Sequence, residues 1–330
     1  MSHRKFIKMT IKNLEKYNLT GRGGASFPVW LKWNEVRSAR SEKKYIICNA
    51  AEGEPAVFKD GYILENYPDE VINGIKIALK TITNSSAVIY LRKDYYKKFK
   101  IKLKQLIGKS PIELRKKTGG YLCGEETTIL ESLEGEREEP RNKPPYPSES
   151  GLFGYPTLIN NVETFFCVSK IAKGDYRNTR FYSISGDVIN PGVYELPENW
   201  SIKKILTKTD NFPELNFFVQ INGAGGEIFS NKELSKTVSG SGAILVYNFK
   251  KTKPINLINR WINFFYNENC GKCVPCREGI LRLKEMVAEK KPNFDTINDI
   301  LFALKETSYC ALGRSVPIPI ESLIKKIWTI

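Results

Sequence analysis

Three cysteines spaced three residues apart, Cys270, Cys273 and Cys276 in ENCGKCVPCREG (268–279), constrain this chain more than any other feature. A loop that turns three thiolates toward one point must wrap tightly around what they bind, and a tetrahedral set needs a fourth. Cys310, in TSYCALGR, follows two helix-like stretches, and a helical hairpin would carry it back to the loop. Compact C-x2-C-x2-C with one remote cysteine is the ligand pattern of a [4Fe–4S] cluster. Structural zinc, the alternative occupant, more often uses two separated C-x2-C knuckles. The single histidine, His3, lies at the terminus and is no candidate ligand. Pro275 sits between the second and third thiolates, and Gly271 and Gly279 are expected to permit the turns. Lys272 and Arg277 would offset cluster charge.

The other cysteines, Cys48, Cys123 and Cys167, stand singly in apolar surroundings and read as small core residues. Seven in all, without an evenly stapled pattern or an apolar leader, argue for metal or redox chemistry rather than a secreted disulfide scaffold. No apolar run reaches the roughly 20 residues of a membrane helix. The net charge of +15 is uneven: residues 76–117 hold thirteen Lys/Arg against Asp94 and Glu113. That stretch reads as a solvated helix face or one that docks on an acidic partner. A basic, zinc-stapled nucleic-acid binder and an inert structural subunit are the competing classes.

At 330 residues the chain has room for two or three domains. KYIICNA (44–50) and SAVIYL (86–91) are apolar nearly throughout, as strands buried on both faces of a parallel sheet are. Between and after them lie helical patterns, including a basic helix over 94–107 with Tyr95, Phe99, Leu103 and Leu106 on one face. GGYLCGEETTILESLEG reads as a strand, a glycine turn and a helix opening at Glu125. The pattern is α/β. Over roughly 178–250 short alternating segments surround one helix near 201–208, which suggests a small β-grasp-like module. The remainder is helical: near 254–267, then Ile280, Leu283, Met286 and Val287 on one face, then Ile297, Ile300, Leu301 and Leu304 on another, with Asp295 as the expected cap. With a last segment near 318–328 this predicts a four-helix bundle.

TGRGGASFPVWLKW (20–33) fails as a G-x-G-x-x-G fingerprint, since Ser26 stands at the sixth position and no strand precedes it. A glycine cluster beside Arg22 and Lys32 can still offer backbone amides to a phosphate. CNAAEGEP ends a strand, where α/β ligand sites gather. Glu125 and Glu126 at a helix start are ordinary dipole complements when taken alone. With Asn160 and Asn161 of LINNVET they resemble the rim of a flavin pocket more than a hydrolase site.

The order GRGG-x-x-F-P…K-W, N-A-x-E-x-E-P…FKD, GGYLCGEE-T, PR-x-KPPYP, NNVET, C-GKC-x-PCREG and CALG resembles the NADH-binding flavoprotein subunit of respiratory complex I. The diaphorase subunits of NAD-linked hydrogenases and formate dehydrogenases share the pattern. The blocks run in the family's order from about residue 12 to 324. The resemblance implies three parts: a Rossmann-like flavin-binding domain (1–177), a β-grasp (ubiquitin-like) domain (178–250) and a C-terminal four-helix bundle with the cluster (251–330). It implies FMN, one [4Fe–4S] cluster and NADH as substrate. Carried over by motif, the FMN shell is Gly21, Arg22, Gly23 and Lys32, then Asn49 and Glu52. Tyr121, Gly124, Glu125 and Glu126 join it, as do Asn160, Asn161, Thr164 and Leu312. NADH is implied near Phe27, Glu54, Glu126, Lys143 and Tyr146, with Glu52, Glu54 and Glu126 as the acids of the reacting centre. Cys270, Cys273, Cys276 and Cys310 are the implied cluster ligands.

Several positions depart from the family's pattern. Ala51 replaces an acid and Gly53 a serine, removing two flavin-side polar contacts worth about 1–2 kcal/mol each if buried. Ser26 and the bulky Trp30 alter the glycine loop. Glu35 stands where an aromatic would stack on the nucleotide base. The departures leave two donors in play, NADH or a small acidic redox protein such as a ferredoxin or flavodoxin, which the basic stretch 92–117 would suit. The implied partners are other peripheral-arm subunits, including a thioredoxin-like [2Fe–2S] subunit and a larger iron–sulfur subunit. Nucleic acid is not among them. The implied location is cytoplasmic, at the inner face of a membrane reached only through the complex.

Overall fold

A computed structural model describes residues 3–214, 216–289 and 292–328; the side chains of His3 and Arg4 lie outside the described set. The chain forms two compact units, residues 1–53 with 58–181 and residues 54–57 with 182–330. In chain order the first holds α1 (His3–Lys16), α2 (Val29–Ser38), β1 (Lys44–Ala50), α3 (Lys59–Asn66), α4 (Pro68–Thr81) and β2 (Ser85–Leu91). It continues with α5 (Lys93–Ile107), β3 (Ile112–Lys116), α6 (Glu126–Glu134), β4 (Thr157–Asn161) and α7 (Val162–Lys173).

These strands make one parallel sheet of order β3-β2-β1-β4. The chain leaves β1 toward β2 on one side, while β4 returns on the other, so β1 and β4 flank the point where strand order reverses. Ligand crevices of open α/β sheets form there, outside the carboxyl ends of the strands. β1 and β2 are central and almost wholly buried, which is why their sequences lack alternation. β3 closes one edge with exposed Glu113, Arg115 and Lys116, charges that discourage further strand pairing.

α5 starts at Lys93 and buries Tyr95, Phe99, Leu103 and Ile107, an unbroken i, i+4 stripe. Leu106, expected on that face, lies at its margin. GGYLCG is not a strand. Its apolar run is three residues long, and it closes a 3-10 turn at Tyr121–Gly124, with α6 opening at Glu126. Glu125 is the N-cap, its carboxylate accepting from the Thr127 and Thr128 N–H groups at 2.9 Å each. α4 and α7 meet at Gly74, where any Cβ would lie 2.0 Å from the Phe165 carbonyl oxygen. Only glycine permits that contact, and the two backbones touch without a side chain between them.

The second unit contains β5 (Thr179–Gly186, from Tyr182), β6 (Gly192–Pro197), α8 (Ile202–Lys208), β7 (Phe217–Ile221), β8 (Ile228–Ser230) and β9 (Ala243–Asn248). The mixed sheet runs β6-β5-β9-β7-β8, with β5 parallel and β7 antiparallel to β9. Ile202, Ile205 and Leu206 of α8 are fully buried in a core with Tyr182, Val219 and Ile244. Each such side chain contributes about 1.5–3 kcal/mol.

Helices complete this unit: α9 (Pro254–Glu268), α10 (Val274–Val287), α11 (Phe294–Thr307), α12 (Ala311–Ser315) and α13 (Pro317–Lys326). α10 packs on α9 and α11, and α13 on α9 and α11. The cap of α11 is Asn293, whose side chain accepts from the N–H groups of Asp295 and Thr296; Asp295 lies inside the first turn. Gly279 sits within α10 rather than in a turn. A Cβ there would lie 3.4 Å from the Leu304 side chain, so its role is close helix approach. Ile300 is only half-buried, whereas Ile297, Leu301 and Leu304 form the core stripe. Among the described residues no helix is long and apolar enough to cross a membrane.

Candidate functional site

The candidate pocket of the first unit is built from four loops at the carboxyl end of its sheet. The glycine loop between α1 and α2 is pinned by the Gly21 N–H donating to the Phe27 carbonyl at 2.9 Å and by a bridge between Thr20 and Pro28. A Cβ at Gly23 would lie 3.3 Å from the Asn161 Cβ, so glycine lets the loop settle on the end of β4. The buried Arg22 donates its backbone N–H to Thr164 Oγ1 and its guanidinium to Tyr176 Oη, both at 3.0 Å. Arg22 and Thr164 therefore fasten the loop to α7, and the backbone N–H groups of Gly21 and Arg22, expected as phosphate donors, are taken up in holding the loop itself. Phe27 is exposed, with Lys32 Nζ 5.9 Å from its ring.

Asn49, next to last in β1, donates to the Gly124 carbonyl at 2.9 Å and accepts from the Ala51 N–H at 3.1 Å. It holds the loop after β1 against the 3-10 turn that carries Tyr121. At the start of α6 Glu126 lies between two ammonium groups, Lys32 at 3.0 Å and Lys143 at 2.9 Å, and Lys143 also reaches Glu125 at 3.0 Å. Burial pushes the Glu126 carboxyl up, but the two lysines outweigh it and hold the group below its ordinary value. The rim thus presents paired cations and anions that a dinucleotide could exchange for its own. Tyr146 is exposed, and Glu35 points to solvent from α2. The Asn160 side chain accepts from Trp33 Nε1 at 2.8 Å and braces α2.

Beneath the loops lies a charge network in which Asn161, expected in the flavin shell, meets Lys59, Asp60 and Glu163, to which sequence reasoning gave no role. Lys59 is 2% exposed; its ammonium meets Asp60 at 2.6 Å, Glu163 at 3.1 Å and Asn161 Oδ1 at 3.0 Å. Asn161 also donates to Asp60 Oδ2 at 2.6 Å and caps α7. Burial would raise the Glu163 carboxyl, and Lys59, Arg180 and Arg22 bring it below its ordinary value. The adjacent Lys-Asp of FKD was the available signal, but its partners are about a hundred positions away.

Glu52 accepts from the Asp60 N–H at 2.9 Å, the Gly61 N–H at 3.3 Å and Tyr95 Oη at 2.6 Å. A Cβ at Gly61 would lie 2.5 Å from Tyr95 Oη, so that glycine gives the phenol its place. Burial, then the like charge of Asp60, push the Glu52 carboxyl up to about 7 despite the pull of Lys59. A folded-state value above the unfolded one means stability present at low pH and lost as pH rises through the folded value. Between about pH 4.5 and 7 the chain is therefore expected to lose on the order of 2 kcal/mol through this group. Urea titrations of Glu52→Gln at about pH 5 and 7.5 should show that loss flattened; an unchanged slope would assign it elsewhere.

Glu54 and Leu312 belong to the second unit. The Glu54 carboxylate accepts from the Ala224 N–H at 2.5 Å and lies against Gly223, whose φ of +80° and lack of Cβ make the space. Leu312 is buried in α12, two residues after Cys310.

The four cysteines of the helical region come together. Gly271 turns the loop with φ +74°, its carbonyl accepting from Arg277 Nη1 at 2.9 Å. Cys273 and Cys310 occupy the N-cap positions of α10 and α12, which sets two of the thiols at the positive ends of helices. Gly313 brings α12 close: a Cβ there would lie 3.3 Å from the Cys276 Cβ. Burial, then the neighbouring Cys273, Cys310 and Cys270, push the Cys276 thiol up to about 12. Such mutual penalty is relieved when a cationic centre takes the thiolates. The buried Ser308 and Tyr309 hydroxyls beside Cys310 find no partner among the described residues. An all-sulfur donor set with helix N-termini and spare hydroxyls around it fits an iron–sulfur cluster. No group of three or more His, Cys, Asp or Glu is arranged for a single metal ion among the described residues. Cys48, Cys123 and Cys167 are buried core residues, as expected.

A glycine loop at the switch point of a parallel sheet, in one chain with a four-thiol site, fits an iron–sulfur flavoprotein. Residues 14–170 match the Nuo51 FMN-binding domain, and residues 256–329 match the NADH-ubiquinone oxidoreductase-F iron-sulfur binding region. The chain belongs to the family of NADH-quinone oxidoreductase F subunits. It is 32% identical to an NADH-quinone oxidoreductase F subunit of Rhizobium meliloti, over 96% of this chain and 86% of that one. It is 34% identical to the F subunit of the Aquifex aeolicus NADH-quinone oxidoreductase, over 95% and 83%. It is also 35% identical to the alpha subunit of the NAD-reducing hydrogenase HoxS of Cupriavidus necator, over 97% of this chain but 59% of that one. A solved NAD+-reducing [NiFe]-hydrogenase in the H2-reduced state superposes with a TM-score of 0.90 at 28% identity, over 98% of this chain and 62% of that one. The chain therefore spans about three fifths of each of these two hydrogenase chains.

Proposed function

We propose that this chain is the electron-input subunit of a complex I-type NADH:quinone oxidoreductase, working through FMN and one [4Fe–4S] cluster. The observation that carries the reading is the pairing of an FMN-binding domain with an iron–sulfur region in one chain. Bound FMN supplies the conversion between a two-electron nicotinamide donor and a one-electron iron–sulfur acceptor. Gly21, Arg22 and Gly23 of the glycine loop, with Lys32, would line its phosphate end. Asn49, Glu52, Tyr121, Gly124, Glu125 and Glu126 would line its ring, and Asn160, Asn161, Thr164 and Leu312 would complete the shell. Phe27, Glu54, Glu126, Lys143 and Tyr146 would receive NADH, with Glu52, Glu54 and Glu126 as the acids nearest the reaction. Cys270, Cys273, Cys276 and Cys310 would hold the cluster.

The same reading takes the chain as three modules: a Rossmann-like flavin domain (1–177), a β-grasp domain (178–250) and a helical cluster domain (251–330). Its partners would be a thioredoxin-like [2Fe–2S] subunit and a larger iron–sulfur subunit of a peripheral arm. It would work at the cytoplasmic face of the membrane, attached only through that complex. The likeness to the hydrogenase chains supports a second assembly, in which the chain is the diaphorase subunit of a soluble enzyme. The exposed lysines of α5 and the exposed Glu35 favour a third variant, in which an acidic redox protein replaces NADH as donor.

An anaerobic titration of the cofactor-loaded chain with NADH, followed at the flavin band, decides the donor. Bleaching at one equivalent of NADH is the expected result. A flavin that dithionite reduces and NADH does not would remove NADH from the reading.

A further inference from the structure

Two buried hydroxyls stand immediately before Cys310 in the chain. Ser308 is 1% exposed and caps the C-terminal end of α11. Both of its backbone groups are used: the N–H donates to the Leu304 carbonyl at 3.2 Å, and the carbonyl accepts from Arg314 Nε at 2.8 Å. Its hydroxyl has no hydrogen-bond partner among the described residues, and neither has the buried Tyr309 Oη. Buried hydroxyls are nearly always paired, because an unmet one forfeits its hydration for nothing. Two adjacent exceptions point to acceptors that the polypeptide itself does not supply.

Both residues border the thiol site. A Cβ at Gly313 would stand 2.4 Å from Ser308 Oγ and 3.3 Å from the Cys276 Cβ, so the serine hydroxyl and that cysteine share the space glycine leaves open. The Tyr309 ring centre lies 4.8 Å from the ammonium of Lys272, which stands between Cys270 and Cys273 in the cysteine loop. The turn between α11 and α12 thus brings one spare hydroxyl beside Cys276 and sets the ring that carries the other against the loop.

We propose that Ser308 and Tyr309 donate their hydroxyl hydrogens to sulfur of the bound cluster and raise its reduction potential, an inference that rests on the cluster reading put forward above. A cluster held by four thiolates is anionic, and reduction by one electron deepens that charge. Donors aimed at its sulfurs stabilise the reduced form more than the oxidised one, while their protons stay on their own oxygens. A higher potential favours arrival of the electron from the flavin. Gly313 acts with them, since any side chain there would displace the Ser308 hydroxyl.

The test is a dye-mediated anaerobic titration of the full chain loaded with FMN and its cluster, read by the electron paramagnetic resonance of the reduced cluster. Wild type is compared with Ser308→Ala, Tyr309→Phe and the double variant. All keep the four cysteines and should retain about four irons per chain. Each single variant is expected to lower the midpoint, and the double variant to lower it further. Full iron with unshifted midpoints would overturn the proposal and leave the cluster standing. A shift in one single variant alone would remove the other residue from it. Tyr309→Phe deletes only an atom the polypeptide leaves unpaired, so it decides if Ser308→Ala does not fold. Iron lost from both folded variants would also overturn the proposal, because the hydroxyls would then support the cysteine loop rather than tune the cluster. A wild-type chain that takes up zinc and no iron would sink the cluster reading itself.

Discussion

Cys273→Ser is expected to drop iron from about four atoms per chain to near zero and to abolish the brown absorbance. Cys273 occupies the N-cap of α10 and supplies one of four sulfurs that the chain draws together. A serine hydroxyl is far less acidic than a thiol and binds iron poorly, so the remaining three sulfurs would hold an open, labile site. The cluster would also tie the loop of 270–276 to the start of α12. Its loss should lower the stability of the helical region by about 3 kcal/mol or more, a fall of roughly 10–20 °C in melting temperature. Cys167→Ala, in a buried core position, serves as the control and should keep full iron. Full iron and colour in Cys273→Ser would overturn the ligand assignment, and a colourless wild type holding one zinc would replace the cluster.

The second large effect concerns Lys59. Lys59→Met should cost the first unit about 3–5 kcal/mol, read as a shift of the urea midpoint by the fluorescence of the buried Trp33. The methionine fills the volume but leaves the carboxylates of Asp60 and Glu163, 3% and 0% exposed, without their shared cation. The deficit should narrow as pH falls from about 7 to 5, because protonation removes the uncompensated charge. Replacing all three by Met, Asn and Gln should recover most of the loss. A triple variant no better than Lys59→Met would show that the charges themselves, rather than their balance, are required.

The parts of this molecule that sequence made legible are those encoded locally. The cysteine spacing, the apolar runs of β1 and β2 and the stripes of α10 and α11 need only neighbours within a turn or two. Misreadings fell where one residue chooses between local options, as when Glu125 capped a helix instead of opening it, or Asn293 displaced Asp295. The buried network was hidden for a different reason. Lys59 meets Asn161 and Glu163 across about a hundred residues, and polar side chains carry no periodicity that announces such partners. Glu54 is two residues from Glu52, yet its carboxylate is bound to Ala224, 170 positions on. Lys117 looked like one more surface lysine in a basic stretch, and only its inward turn distinguishes it.

At Gly74 two helices touch main chain to main chain, with no side chain between them as a cushion. Side-chain contacts yield by rotamer changes, but a carbonyl seated against a bare Cα has no such freedom. The helix it seats, α7, begins at Asn161, the amide that grips Lys59 and Asp60. That contact makes the floor of the pocket a bearing rather than a spring, so any give during turnover must come from the loops above it.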